Sequence, residues 1–326
     1  MPSPTDPPVA DAGAAVGRLK RYLKPLLNLV ALVFVVLAAR DMLARWEGNH
    51  VELAPGLAAL ACLPLLASCL VQGFAWIALV EHMAGKRVPR GPALSLYLAS
   101  QLARYTPGKV GLPLVRMEGA PRLSLAPKLV GVSVLIEMLS WTATGAIVGF
   151  ALLALTAPSG GLGGLFGRFS LPLLLLSLLG AALLTFVDRA RYPKKLRNVL
   201  APDGAGPLVP LAVPLVQVVY WALVAGHGYL MSLALGASGH AALPAMGFYV
   251  IASVAGFVVL AAPAGLGVRE AVLLTGVSPS VGAAGALGAA VISRAASLGV
   301  EVLAWLAVRA LWGVARPAPE ANPEQR

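Results

Sequence analysis

Charge is scarce in this chain. Only 12% of its 326 residues are Asp, Glu, Lys or Arg, about half the usual share, and 58% are hydrophobic. A mean hydropathy of +0.81 excludes an ordinary soluble domain of this length. Cysteine is almost absent: Cys62 and Cys69 lie seven residues apart on one predicted helix, roughly 10 Å along its axis and too far for a disulfide. They read as packing residues, with no redox framework. The four histidines, His50, His82, His227 and His240, lack metal-ligand spacing, so no metal or other cofactor is expected. There is no G-x-x-x-x-G-K-[ST], which excludes an ATP-driven pump within this chain, and no G-x-S-x-G hydrolase elbow. Gly160-Gly161-Leu162-Gly163-Gly164 does not continue as a dinucleotide fingerprint. With no nucleophile–base pair or metal cluster, the chain is not read as an enzyme.

Period-two alternation is missing as well, and that argues against a β-barrel. What remains is a series of continuous apolar runs. The fold class is all-α: a polytopic helical membrane bundle of about seven to eight spans, with broken or re-entrant half-helices. Candidate spans are 25–39, 54–80, 129–156, 169–187, 208–235 and 243–262, followed by a two-part segment, 268–312. Residues 18–39 imitate a signal peptide, but the long polar lead favours an uncleaved first span. Residues 1–17 and 315–326 read as disordered tails around a single membrane domain, 18–314.

Lysine and arginine alternate along the gaps between spans. Segments 1–24, 81–128 and 188–206 hold seventeen, and 40–53, 157–168 and 236–242 hold three. The positive-inside rule places the N-terminus and the basic segments in the cytoplasm, as in a multi-pass membrane protein. The net charge of +11 then faces phosphate-bearing lipid headgroups, and no nucleic-acid partner is expected.

Two segments interrupt the apolar pattern. One is Arg104-Tyr105-Thr106-Pro107-Gly108-Lys109-Val110-Gly111, followed by Arg116. The other is Pro263-Ala264-Gly265-Leu266-Gly267-Val268-Arg269-Glu270. Broken helices carrying arginine at membrane depth are costly, which marks both as candidate sites. Residues 93–112 read as a half-helix ending in a cytoplasm-facing loop. The helix start after Gly265 and Gly267 offers backbone N–H groups and a positive dipole end, and arginine adds bidentate donors suited to phosphate. Broken helices at matching positions also suggest two related halves.

Glu137 is the acid placed well inside a span. With Ser133, Ser140 and Thr144 it forms one helical face, which reads as the lining of a headgroup path. Arg294, Ser297 and Glu301 form a second stripe. Glu137 with Arg294, and Arg269 or Arg116 with Glu301, are the pairings considered. Gln72, Gln217, Tyr220, Trp221 and His227 read as interhelical hydrogen-bonding groups. The tail stays open. Either 268–278 is a half-helix turning at Pro279 before a long final span, or 268–290 crosses and 295–312 crosses back. Gly282, Gly285, Gly288 and Ala289 supply a small face for close packing in both cases.

The two Pro-Gly segments, together with Arg294 and Glu301, resemble the flippase-like transmembrane domain of lysylphosphatidylglycerol synthases (multiple peptide resistance factor). The resemblance covers about 20–314, with Lys109 standing where a glycine is expected. It implies a stand-alone membrane domain that moves a lipid between leaflets, without the soluble domain that aminoacylates phosphatidylglycerol. The substrate would be an anionic or modified phospholipid or an isoprenoid lipid. The substrate-binding set is then Arg104, Lys109, Arg116, Glu137, Gly265, Gly267, Arg269, Glu270, Arg294 and Glu301. The alternative function is an accessory subunit that recruits a lipid- or envelope-modifying enzyme. Such an enzyme, and a second copy of the chain, are the protein partners kept open.

Overall fold

The computed structural model describes residues 52–105, 110–156, 161–191, 194, 206–259 and 267–312. The expected first span at 25–39, both tails, Lys109 and Gly265 lie outside the described residues. Helices α1 (Pro55–Ala84), α4 (Pro127–Thr156), α5 (Gly161–Phe186), α6 (Ala212–Ala234) and the long α8 (Val268–Trp312) are apolar and long enough to cross a membrane, α5 over Arg168–Phe186. Between them lie the short helices α2 (Arg90–Leu102), α3 (Gly111–Gly119) and α7 (Leu243–Val258). The fold is an all-α polytopic membrane bundle. Among the described residues the only β-type pairing is an isolated bridge between Asp188 and Pro207.

The ends of the bundle differ in charge. At one end Lys86 Nζ donates to the Ser124 carbonyl at 2.7 Å, His82 Nε2 lies 3.1 Å from the Pro207 carbonyl, and Trp312 packs over Gly91. The connections gathered there carry Lys86, Arg87, Arg90, Arg122, Lys128, Arg191 and Lys194. At the other end the Ala54 amide donates to the Ala234 carbonyl at 2.8 Å, and the connection from Ala234 to Leu243 carries no lysine or arginine.

The helix α8 is two helices. Gly282 sits at φ 75° and ψ 168°, a conformation open essentially to glycine alone, and breaks it. Glu270 and Arg294 pair at 3.1 Å across this break, whereas a continuous helix would hold them roughly 36 Å apart. The chain therefore doubles back, with arms α8a (268–281) and α8b (283–312). Leu273 and Val277 of the first arm pack with Ala286, Ala289 and Ala290 of the second. Of the expected small-residue face, Ala289 packs here while Gly282 forms the break itself, and the half-helix alternative for the tail is the correct one. The turn falls at Gly282, three residues past Pro279, and α8b returns to the basic end.

Two hairpins of half-helices follow from this geometry. The pair α2 and α3 starts at the basic end, runs inward and returns, with Arg116 Nε on α3 donating to Ser100 Oγ on α2 at 2.7 Å. The pair α7 and α8a enters from the opposite end. At 16 residues α7 is roughly 24 Å long, short of the ~30 Å hydrocarbon core, so the expected span at 243–262 is a half-helix. The half-helix expected within 93–112 is present as α2, and the cytoplasm-facing loop expected at its end falls on 106–109, outside the described residues. Arg104, in the single turn Ala103–Tyr105 that follows α2, pairs with Glu301 in the interior of α8b and not at the basic end.

The helix α5 contacts chiefly α4 and leaves most of its leucines exposed, including Leu171, Leu175, Leu176 and Leu179. That surface suits hydrocarbon and would be intolerable in water. Elsewhere glycines let helices approach closely. A Cβ on Gly276 would collide with the Phe248 ring, and one on Gly149 would sit 2.6 Å from Ile251.

Candidate functional site

The inner ends of the two hairpins converge on a cavity of about 160 Å³. At roughly 10–15 Å³ per water, it can take a hydrated polar group, and not acyl chains. Arg104, Arg116, Glu137, Arg269, Arg294 and Glu301 all line it. Six of the ten predicted site residues are thus brought into one place from five helical segments. Gly267 and Glu270 lie at the edge. Gly267 (φ 83°) stands just before α8a, and its amide donates to Glu270 Oε2 at 2.7 Å. Glu270 closes back on the start of its own helix in the manner of a capping box and is the counter-ion of Arg294. Of the two breaks, only their described flanks can be placed.

The charges sort into three ion pairs. Arg116 pairs with Glu137, Arg104 with Glu301, and Glu270 with Arg294. The pairings read from the sequence are not among these three, because each hairpin carries its charges to fixed partners: Arg116 and Arg104 to Glu137 and Glu301, and Glu270 to Arg294. The stripe on α8b thus serves both hairpins. Glu301 holds the inner end of α2–α3, and Arg294 holds the base of α8a.

Arg116 is completely buried. Its guanidinium lies 4.7 Å from the Trp76 ring centroid and 4.5 Å from that of Tyr97. Glu137 accepts from Arg116 and, at 3.0 Å, from Gln72 Nε2. This knot ties α1, α2, α3 and α4 together. The rest of the α4 stripe does not line the cavity. Trp76 Nε1 donates to Ser133 Oγ at 3.1 Å, and Ser140 and Thr144 donate to Gln217 Oε1 at 2.7 and 3.3 Å. These are helix-to-helix bonds, so the expected headgroup path along that stripe narrows to Glu137 alone.

Arg104 differs from Arg116. Its side chain is 32% exposed, while Glu301 beside it is 5% exposed. Arg269 carries a buried Nε without a hydrogen-bond partner, and Glu301 leaves Oε2 in the same state. This half of the cavity therefore has unspent hydrogen-bonding capacity, which is costly to retain in a low-dielectric interior.

Aromatic rings close the remaining wall. Trp141 stacks within 4.4 Å of Trp221 and 4.9 Å of Phe257, with Tyr220 at 6.1 Å. His227, read from the sequence as an interhelical group, also lines the cavity; its Nδ1 meets the Ala61 carbonyl at 2.8 Å. Tyr97 and Gln101 were missed. They precede Arg104 by seven and three residues, so one helical face carried the signal. Gln72 gave only the weak signal of a lone amide in an apolar run.

Residues 23–304 match the family model described as the lysylphosphatidylglycerol synthase TM region. No curated protein matches the chain.

Proposed function

The chain belongs to the lysylphosphatidylglycerol synthase TM region family, and on that premise we propose that it is a lipid translocase, which binds a lipid headgroup in the central cavity and moves it between leaflets. One observation carries the reading. Two half-helix hairpins enter from opposite ends of the bundle, and their inner ends face one charged cavity. Opposed broken helices around a buried polar site are the geometry of alternating access.

The phosphate goes to Arg269 and Arg104, where guanidinium groups offer paired donors in a water-poor site. Acyl or isoprenoid chains stay outside, along the apolar flank of the bundle, since the cavity is too small for them. Arg116 and Glu137 form the fixed floor. Arg104–Glu301 and Glu270–Arg294 are the two latches, one per hairpin, both on α8b. Exchange of a latch arginine from its carboxylate to the headgroup phosphate costs little in charge, so headgroup arrival can loosen one hairpin at a time. The basic end is cytoplasmic by the positive-inside rule, which places the α2–α3 hairpin on the cytoplasmic side of the bacterial inner membrane and the N-terminus with it. The role is transport and not catalysis.

The binding step is tested with an anionic phospholipid carrying a photoreactive group on its headgroup. Expected labelling falls on cavity residues of α2, α4 and α8b, such as Gln101, Trp141 and Ser297, and is displaced by unlabelled lipid. Labelling confined to the lipid-facing leucines of α5 would overturn the assignment and favour an accessory subunit.

A further inference from the structure

The two latches do not leave equal carboxylates behind. When a latch arginine passes to a headgroup phosphate, its glutamate stays in the bundle interior without that arginine. Glu270 keeps the Gly267 amide at 2.7 Å and stands in the first turn of α8a, where the helix dipole favours negative charge. Glu137 keeps both Arg116 and Gln72, because that knot takes no part in the exchange. Glu301 has neither support. It lies in the interior of α8b, its side chain is 5% exposed, and its one hydrogen bond among the described residues comes from Arg104.

The groups that share the cavity with Glu301 do not replace Arg104. Arg269 of α8a is the other cation whose charge reaches it, and the phosphate engages Arg269 as well. Arg294 of α8b is held by Glu270, and Arg116 of α3 by Glu137 of α4. Cys69 of α1, Tyr97 of α2 and Tyr220 of α6 face the cavity as neutral groups. His227 of α6 turns Nδ1 to the Ala61 carbonyl, and the cavity residues of α7 carry no titratable side chain. A phosphate set on Arg104 and Arg269 thus takes both cations from Glu301 and puts a negative charge beside it. An ionised carboxylate left there is too costly to keep.

We propose that headgroup binding is coupled to a proton, which makes the protein a lipid–proton symporter. Glu301 takes the proton from water as Arg104 moves to the phosphate. It returns the proton when the headgroup leaves and Arg104 pairs with it again. No other group changes charge, and anion and proton cross together. A pH gradient would then drive the lipid toward the leaflet on the alkaline side. The proposal rests on the headgroup-binding reading above and supplies its energy source.

The test titrates short-chain phosphatidylglycerol into the detergent-solubilised full chain at values from about pH 6 to about pH 8, where a phosphodiester keeps its charge. Tryptophan fluorescence follows binding, and a pH-indicator dye in weak buffer follows proton uptake. The complex holds one proton more than the free protein, so acid favours it. About one proton is expected to be taken up per lipid bound, with affinity falling by up to about 10-fold for each unit of rising pH. Glu301→Gln keeps the shape and cannot ionise. It is expected to bind without proton uptake, at every pH as tightly as wild type binds in acid. Binding by wild type without proton uptake would overturn the coupling and leave headgroup binding standing. Uptake that persists in Glu301→Gln would put the proton on another group, such as Glu270 or His227, and overturn the assignment. Absence of binding at every pH would overturn both readings. The wild-type proton stoichiometry decides the coupling even where the variant fails to fold.

Discussion

Glu137→Ala is expected to destabilise the folded protein by about 3–5 kcal/mol, the largest loss from any single truncation at the cavity. Arg116 has no access to solvent and lies against the Trp76 and Tyr97 rings. Its charge is compensated by Glu137, and Ser100 satisfies only Nε. Removing the carboxylate leaves a buried guanidinium with two aromatic faces, whose cation–π attraction of about 2 kcal/mol is too small to replace an ion pair. Gln72 would lose its acceptor at the same time. The double variant Arg116→Met with Glu137→Gln removes both charges and is expected to recover most of the loss. Unfolding in mixed detergent, followed by circular dichroism, measures both. A Glu137→Ala variant as stable as wild type would show that the knot is not what fastens α3 to α1 and α4.

Arg269→Glu is expected to leave the fold largely intact and to weaken binding of anionic lipid by about 100-fold. A charge-assisted hydrogen bond in a dry site contributes about 1.5–3 kcal/mol, and charge reversal adds repulsion from Glu301 and Glu270 nearby. Arg269 makes no ion pair among the described residues, and its Nε is an unused donor. That separates it from Arg116, whose loss would be structural. Arg269→Lys keeps the charge and loses the planar fork, so its affinity should fall by only about 10-fold. Titration with short-chain anionic lipid, with the unfolding midpoint measured in parallel, tests this. Unchanged affinity in Arg269→Glu would move the phosphate away from the second hairpin.

The sequence exposed the half-helices because their punctuation is chemical. Pro107-Gly108 and Pro263 with Gly265 interrupt apolar runs that composition alone would continue, and arginine beside each break has no cheap place in hydrocarbon. Gly282 was legible only as one of several small residues, since nothing local tells a packing glycine from one that must take a positive φ. Depth was the harder quantity. Arg104 stood out at a helix break, but its place in the interior is set by Glu301, nearly two hundred residues away. Apolarity also could not distinguish a half-helix from a span at 243–262, because both must be greasy. The ion pairs failed for a related reason. Helical spacing states which charges share a face, and partner choice is made by the hairpin geometry that brings Arg116 to Glu137 and Glu270 to Arg294. His227 was noticed as a polar group, yet its unpaired Nε2 is a property of packing alone.

The central claim is that headgroups cross the membrane through the cavity between the two hairpins. Leaflet exchange of a fluorescent-tailed phosphatidylglycerol in liposomes carrying the purified protein tests it most directly, with the outer-leaflet label quenched by an impermeant reductant. Exchange well above that of protein-free liposomes is expected, abolished by Arg269→Glu reconstituted to the same density. Exchange at the protein-free rate, from protein that still binds the lipid, would contradict it and leave a lipid-binding accessory subunit in its place.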